Sequence, residues 1–146
     1  MPAGIVATVF FKALQFLKKI LCRRPAPEAA RIGRMGEGAA ARRLNGDGYK
    51  ILARNFRSGR NEIDIVCSRG GVLVFVEVKT RKEGSLVGGY YSAVSGGKKR
   101  AVRAAAKDYM RQTRAPFKTF RFDVVEVSYS QSAPQTPQIS HFQNVY

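Results

Sequence analysis

The chain alternates between two kinds of patterned segment, and the pattern sets the order of its elements. From about Ile32 to Leu44 small and apolar residues recur at helical spacing, with Ala39, Ala40, Ala41 and Leu44 favouring a helix. Asn45-Gly46-Asp47-Gly48 stops it. Tyr49 to Phe56 reads as a first strand, and Arg57-Ser58-Gly59-Arg60-Asn61 as a turn. Glu62-Ile63-Asp64-Ile65-Val66-Cys67 alternates strictly, as a half-buried strand does, and Arg69-Gly70-Gly71 predicts a hairpin. Val72 to Val78 is continuously apolar except at Glu77, the pattern of a central strand buried on both faces. A Gly-rich connector, Glu83 to Gly97, leads to a second helix from about Gly97 to Gln112, with Ala101, Val102, Ala105 and Tyr109 on one face. Phe120 to Val127 reads as one more strand. The expected fold is α/β: helix, three strands, helix, strand.

The ends of the chain differ from this middle. In residues 1–22, Thr8, Lys12, Gln15, Lys18 and Lys19 fall on one stripe of a helix whose remaining surface is apolar. Lys12 would sit in the middle of any membrane span, and no basic residue precedes the apolar run as in a signal peptide. The stretch is read as a basic amphipathic helix, suited to a membrane surface, to docking, or to neither if the start is assigned too far upstream. Pro25 and Pro27 separate it from the patterned middle of the chain. Residues 128–146 are uncharged and rich in Ser, Gln and Pro, the composition of a loose tail. The expected division is 1–27, 28–127 and 128–146.

Charge changes the picture of the partner. The chain has 146 residues, 26 of them Lys or Arg and 10 Asp or Glu, for a net +16. About +5 lies in residues 1–27, +11 in 28–127 and none in the tail. The length excludes a Rossmann dehydrogenase or a barrel enzyme. A one-signed charge of this size points to an anionic partner, nucleic acid or an acidic membrane face. Two cysteines, Cys22 and Cys67, without CxxC and with His141 alone, build neither a familiar zinc site nor a disulfide framework. That usage fits a reduced, cytoplasmic protein, with peripheral membrane contact through residues 1–22 left open.

The scarce acids carry the candidate chemistry. Glu77 and Lys79 are two apart on a strand and so emerge side by side from an apolar run. A buried carboxylate needs compensation, and either an ion pair with Lys79 or a divalent cation would supply it. Asp64, flanked by Ile63 and Ile65 on the preceding strand, can be brought next to Glu77. Glu37 could add a third carboxylate, or serve as a first-turn acid favouring the helix dipole. Glu62 shares a strand face with Asp64, as a further ligand or a solvated strand end. Lys98, Lys99 and Arg100 open the second helix as a phosphate-tracking cluster.

These residues, in this order, resemble the YraN-like family of small bacterial proteins. The matching positions are Gly36-Glu37-Gly38-Ala39-Ala40, Gly48-Tyr49, Arg54-Asn55-Phe56-Arg57, Glu62-Ile63-Asp64-Ile65-Val66, Phe75-Val76-Glu77-Val78-Lys79-Thr80-Arg81, Ala93-Val94 with Lys98, and Arg121-Phe122-Asp123-Val124-Val125. The resemblance covers about residues 31–127 and extends to the PD-(D/E)XK nuclease superfamily. It implies a restriction-endonuclease-like core, a mixed central sheet flanked by helices. It implies an endonuclease hydrolysing DNA phosphodiesters, branched DNA included, with Mg²⁺ or Mn²⁺. Asp64 and Glu77 then match the metal-binding acids, Lys79 the catalytic lysine, Glu37 the helix-borne acid and Lys98 the basic residue of the second helix. Arg57, Arg81, Lys98, Lys99 and Arg100 are the expected nucleic-acid contacts, and junction-resolving relatives suggest a homodimer. Asn61 stands where the family usually has Gly, and Asn tolerates a left-handed turn. Lys99 stands where Gln is usual. A non-catalytic nucleic-acid-binding module on the same fold is the alternative.

Overall fold

A computed structural model describes residues 27–82, 96–114, 116–130, 132 and 136–145. The amphipathic segment 1–22 with Cys22, and most of the Gly-rich connector, lie outside the described residues. In chain order the elements are α1 (Glu28–Gly46), β1 (Lys50–Ser58), β2 (Asn61–Arg69), β3 (Val72–Lys82), α2 (Gly96–Thr113), β4 (Thr119–Tyr129) and β5 (Gln138–Phe142). The strands form one mixed sheet in the order β1-β2-β3-β4-β5. Antiparallel hairpins join β1 to β2 and β2 to β3, whereas β3 and β4 run parallel and are connected through α2. This is the restriction-endonuclease-like architecture the resemblance implies.

The even positions of β3, Val74 and Val76, join Ala39, Ala40, Ala41 and Leu44 of α1 in one core layer. The odd positions, Leu73 and Phe75, join Val102, Ala105, Ala106 and Tyr109 of α2 in the other. The alanines keep both helices close to the sheet, and Gly36 lies directly against Thr80 of β3. A Cβ there would overlap the Thr80 side chain. Phe75 is fully buried, stacked on Phe122 at 5.6 Å and edge-on to Tyr109 at 5.9 Å. Burial of a side chain of that size contributes roughly 1.5–3 kcal/mol.

Three expectations need correction. Residues 128–146 are not simply a loose tail, because Gln138–Phe142 pairs antiparallel with β4 as β5. Its composition is that of a loop, but its contacts are specific. His141 Nε2 sits 2.8 Å from Asp123 Oδ2, and the Asn144 N–H donates to Asp123 Oδ1 at 2.9 Å. Second, α1 begins at Glu28 rather than near Ile32, which places Glu37 in mid-helix. The acid that favours the dipole is therefore Glu28. Third, the left-handed residue of the β1–β2 turn is Gly59, with φ 58°, while Asn61 already belongs to β2.

Among the described residues no helix is long and apolar enough to cross a membrane.

Candidate metal and phosphate site

All side chains of the site belong to one unit, Arg31–Tyr146. The site forms where the sheet loses its regular alternation. Ile65 and Cys67 of β2 face α1, yet Ile63, two residues before Ile65, faces α2. The strict alternation expected from sequence therefore breaks at Asp64. β1 breaks at the same level. Between the paired positions Arg54–Ile65 and Phe56–Ile63, Asn55 stands opposite Asp64 and takes φ 51°. Asn is among the few side chains that tolerate this left-handed conformation.

The break frees both side chains for other work. The β2–β3 ladder runs from Arg69–Val72 to Ile65–Val76. At the next step the Asp64 carboxylate substitutes for the backbone, with Oδ2 accepting the Val78 N–H at 2.7 Å. Asn55 Nδ2 donates to Glu37 Oε2 at 2.7 Å and so ties the mid-helix acid to the same place. Glu37, Asn55, Asp64 and Glu77 thus form a polar row across α1, β1, β2 and β3. Sequence reasoning finds Asn55 only as part of a motif and assigns it no role. The available signal is a phase break in β1, whose apolar positions pass from Ile51 and Ala53 to Phe56.

Glu77 is the deepest member, with only 3% of its surface exposed. Lys79 Nζ donates to its Oε1 at 2.9 Å. Lys98 Nζ, from the first turn of α2, lies 3.0 Å from Oε2 in an ionic contact that lacks good hydrogen-bond alignment. Burial works against the Lys98 ammonium. The charge of Glu77 and the contact with it outweigh this and raise the Lys98 pKa above its ordinary value. Asp64 behaves differently. Burial first and the charge of Glu77 second push its carboxyl up to about 6, against the Val78 hydrogen bond and the Lys98 charge. Glu37 adds a smaller push in the same direction.

The remaining expected residues divide. Arg57 pairs with Glu62 at 3.2 Å, which gives Glu62 a strand-end ion pair beside the row. Arg81 lies 3.8 Å from Glu126, the residue opposite Lys79 in register. Lys99 and Arg100 follow Lys98 on α2, half-buried and exposed respectively. Cys67 is fully buried, and burial pushes its thiol up to about 12, so it is no nucleophile.

The donor set fits a divalent cation of the Mg²⁺ type. Such an ion takes one or two carboxylates and completes its shell with water and substrate phosphate. Asp64 and Glu77 repel one another, and with burial this holds Asp64 partly protonated near pH 6. A cation between them would relieve that repulsion. Among the described residues no three of His, Cys, Asp and Glu converge into a complete protein cage. The geometry therefore suits a hard ion shared with a ligand and does not suit zinc.

Comparison with known proteins gives a consistent result. The family model described as "Uncharacterised protein family UPF0102" matches residues 36–127. A UPF0102 protein of Symbiobacterium thermophilum is 46% identical over 97 residues, 66% of this chain and 81% of that protein. One from Solibacter usitatus is 45% identical over 109 residues, covering 73% and 80%. One from Pelotomaculum thermopropionicum is 38% identical over 115 residues, covering 79% and 94%. The first matched position of the family model is Gly36, the residue pressed against Thr80.

Proposed function

This chain belongs to the UPF0102 (YraN-like) family, and we propose that it is a divalent-metal-dependent endonuclease that hydrolyses DNA phosphodiesters. One observation carries the reading. A carboxylate 3% exposed is held between two ammonium groups, beside a second carboxyl pushed up to about 6. Carboxyls shifted this far by burial and a like charge cluster at functional sites.

Asp64 and Glu77 would hold the ion, Mg²⁺ or Mn²⁺. When bound, it would neutralise phosphate charge and lower the pKa of a water. Lys79 stands with its ammonium at the mouth of Glu77 and can pass from that carboxylate to a phosphate oxygen, where charge grows as the P–O bond breaks. Lys98 holds the other oxygen of Glu77 and keeps the carboxylate oriented. Glu37, fixed by Asn55, is placed to accept a hydrogen bond from water entering the row. The basic surface supplies the phosphate contacts that hold the substrate.

The test is cleavage of linear, branched and single-stranded DNA by purified protein with Mg²⁺ or Mn²⁺. Cleavage is expected only with metal. Lys79→Met should lower the rate by about 10²–10³-fold, the scale for removing one charge-stabilising donor. Intact DNA in all three forms with the wild type would end the reading. A non-catalytic binding module is the second reading, favoured because both oxygens of Glu77 already face lysine amines. Under it Glu77→Gln binds DNA as the wild type does, and neither cuts.

A further inference from the structure

A concavity lies away from the carboxylates, between α2 and the start of β4. It encloses about 330 Å³. Met110, Phe120 and Phe122 give it apolar walls, and Arg103, Lys107 and Arg121 contribute positive ones. Among the described residues no carboxylate lines it. Arg121 donates to Asp123 and Tyr49, and Arg103 and Lys107, both exposed on α2, are the cations at the rim. Phe120 is 50% exposed, although its ring also contacts Phe75 and Phe122 edge-on at 6.3 and 5.8 Å. The wall thus carries a half-exposed aromatic ring, backed by two further rings, with cations at its rim.

The chemistry of that wall selects an occupant. The amphipathic segment 1–22 of this chain carries positive charge itself and would be repelled by Arg103 and Lys107. A membrane or an apolar peptide would want a broader apolar patch than one half-exposed phenyl ring. A flat, π-faced group with a negative charge attached satisfies both components. That is an unstacked nucleotide, its base on Phe120 and its phosphate at Arg103 and Lys107. A base paired within a duplex is stacked on its neighbours and has no face to offer.

The position of the cavity adds a second argument. Phe120 is opposite Leu73 in the β3–β4 register, and Glu77 is four residues further along β3. At the rise of a strand that is about 13 Å, a distance that a few nucleotides of one strand can bridge. Helix α2 spans the interval, with Lys98 at Glu77 and Arg103 and Lys107 at the cavity.

We infer that this cavity captures one unstacked nucleotide of single-stranded nucleic acid, so that the preferred substrate carries an unpaired segment near the phosphate presented to Asp64 and Glu77. The inference rests on the nucleic-acid reading proposed above but requires neither metal nor cleavage.

The test uses the full chain without divalent ions. Its probes are an oligodeoxythymidylate, the matching oligoribonucleotide and a blunt duplex of equal length, read by fluorescence anisotropy. Phe120→Ala should weaken single-strand binding about ten-fold, the scale of losing one base-stacking partner, and leave duplex binding unchanged. Phe120→Trp should keep wild-type affinity. Phe120→Leu, which preserves apolar bulk and controls for folding, should lose as much as Phe120→Ala. The deoxy and ribo arms show which single strand the cavity takes, and a loss in either supports capture. Equal losses for duplex and single strand, wild-type affinity in Phe120→Leu, or a dimer dissolved by Phe120→Ala with single-strand binding intact would each overturn it. If the wild type cuts no DNA but the Phe120 series discriminates as stated, the nuclease reading fails and the capture site stands. If cleavage depends on Lys79 but Phe120 is silent, the reverse holds.

Discussion

The molecule buries two carboxylates on opposite faces of one sheet, and they are treated in opposite ways. Asp123, on the α1 side, is fully buried and fully satisfied. Arg121 donates to both of its oxygens, at 3.0 and 3.2 Å, His141 meets Oδ2 at 2.8 Å and the Asn144 N–H meets Oδ1. Arg121 and Gln143 also donate to the Tyr49 hydroxyl, at 2.8 and 3.0 Å, and the Tyr49 ring meets His141 edge-on. Burial opposes the Asp123 charge, but these hydrogen bonds outweigh it and hold its pKa below the ordinary carboxylate value. Glu77, on the α2 side, is matched by flexible lysines instead of a planar guanidinium, one of them poorly aligned, and has a repelled neighbour in Asp64. A fully satisfied polar network fixes structure, and strongly perturbed, partly satisfied groups are the ones that cluster at functional sites. The contrast separates two motif segments by their contacts: Arg121-Phe122-Asp123 with Gly48-Tyr49 ties β5 to the sheet, and Glu77-Val78-Lys79 lies with Asp64 at the candidate site.

The largest expected effect comes from breaking the satisfied side. Asp123→Ala leaves the half-buried Arg121 without its carboxylate and releases His141 and Asn144. A loss of about 3–5 kcal/mol in unfolding free energy is expected, read by chemical denaturation. Glu77→Gln, which removes one charge from a site holding two ammoniums, should cost less stability and abolish cleavage. Equal destabilisation by the two variants would erase the distinction between a structural and a functional carboxylate.

Much of this contrast is legible in sequence on the Glu77 side and little on the Asp123 side. A lone acid in a continuously apolar strand is a local signal, and so is its lysine two residues on. Pairing with Asp64 follows from hairpin order. Arg121, two residues before Asp123, is an equally local signal, but the other partners of Asp123 lie 18 and 21 residues away in a Ser- and Gln-rich stretch. A strand held by edge pairing and specific polar contacts leaves no hydrophobic period to read. The same reasoning explains Asn55. Its role depends on a simultaneous break in two strands, which alternation in β2 alone conceals. The periodic pattern of α1 starts late because Glu28-Ala29-Ala30 adds a turn of good helix formers without a buried face.

Asp64 and Asp123 should also respond to pH with opposite signs. Asp64 titrates near 6 when folded and at 3.8 as a free group. Between those values the folded state holds more protons than the unfolded state, so stability falls as pH rises from about 4 to 6, by at most about 3 kcal/mol. Asp123 has a lowered folded value, so its contribution is present above its unfolded pKa and is lost as pH falls through the folded one. Denaturation curves across about pH 4 to 6.5 should show a decline in the wild type that Asp64→Asn removes and Asp123 variants keep. Divalent ions should flatten the decline, because they favour the deprotonated Asp64. A decline unchanged in Asp64→Asn would detach the shift from this site.

The smallest effect tests how the α1 face supports both networks. Gly36 sits against Thr80, and an added Cβ would overlap Thr80 Oγ1 and meet Thr80 Cβ at 2.8 Å. Helix α1 cannot absorb this without moving off β3, since the contact is with a β-branched side chain on a central strand. Alanine would gain about 0.5–1 kcal/mol in helix propensity, while overpacking costs about 1–3 kcal/mol. The net for Gly36→Ala is a modest destabilisation. Its consequences should be unequal across the molecule. Glu37 is the next residue and reaches Asn55 through one hydrogen bond of 2.7 Å, so a small displacement of α1 breaks that link. Asp123 takes its hydrogen bonds from β4, β5 and the residues just after β5, and should keep them. Gly36→Ala should therefore lower cleavage more than its loss of stability explains, with the His141 ring resonances unchanged by NMR. Adding Thr80→Ala should restore only part of the activity, because it removes the Oγ1 clash and leaves the Cβ contact in place.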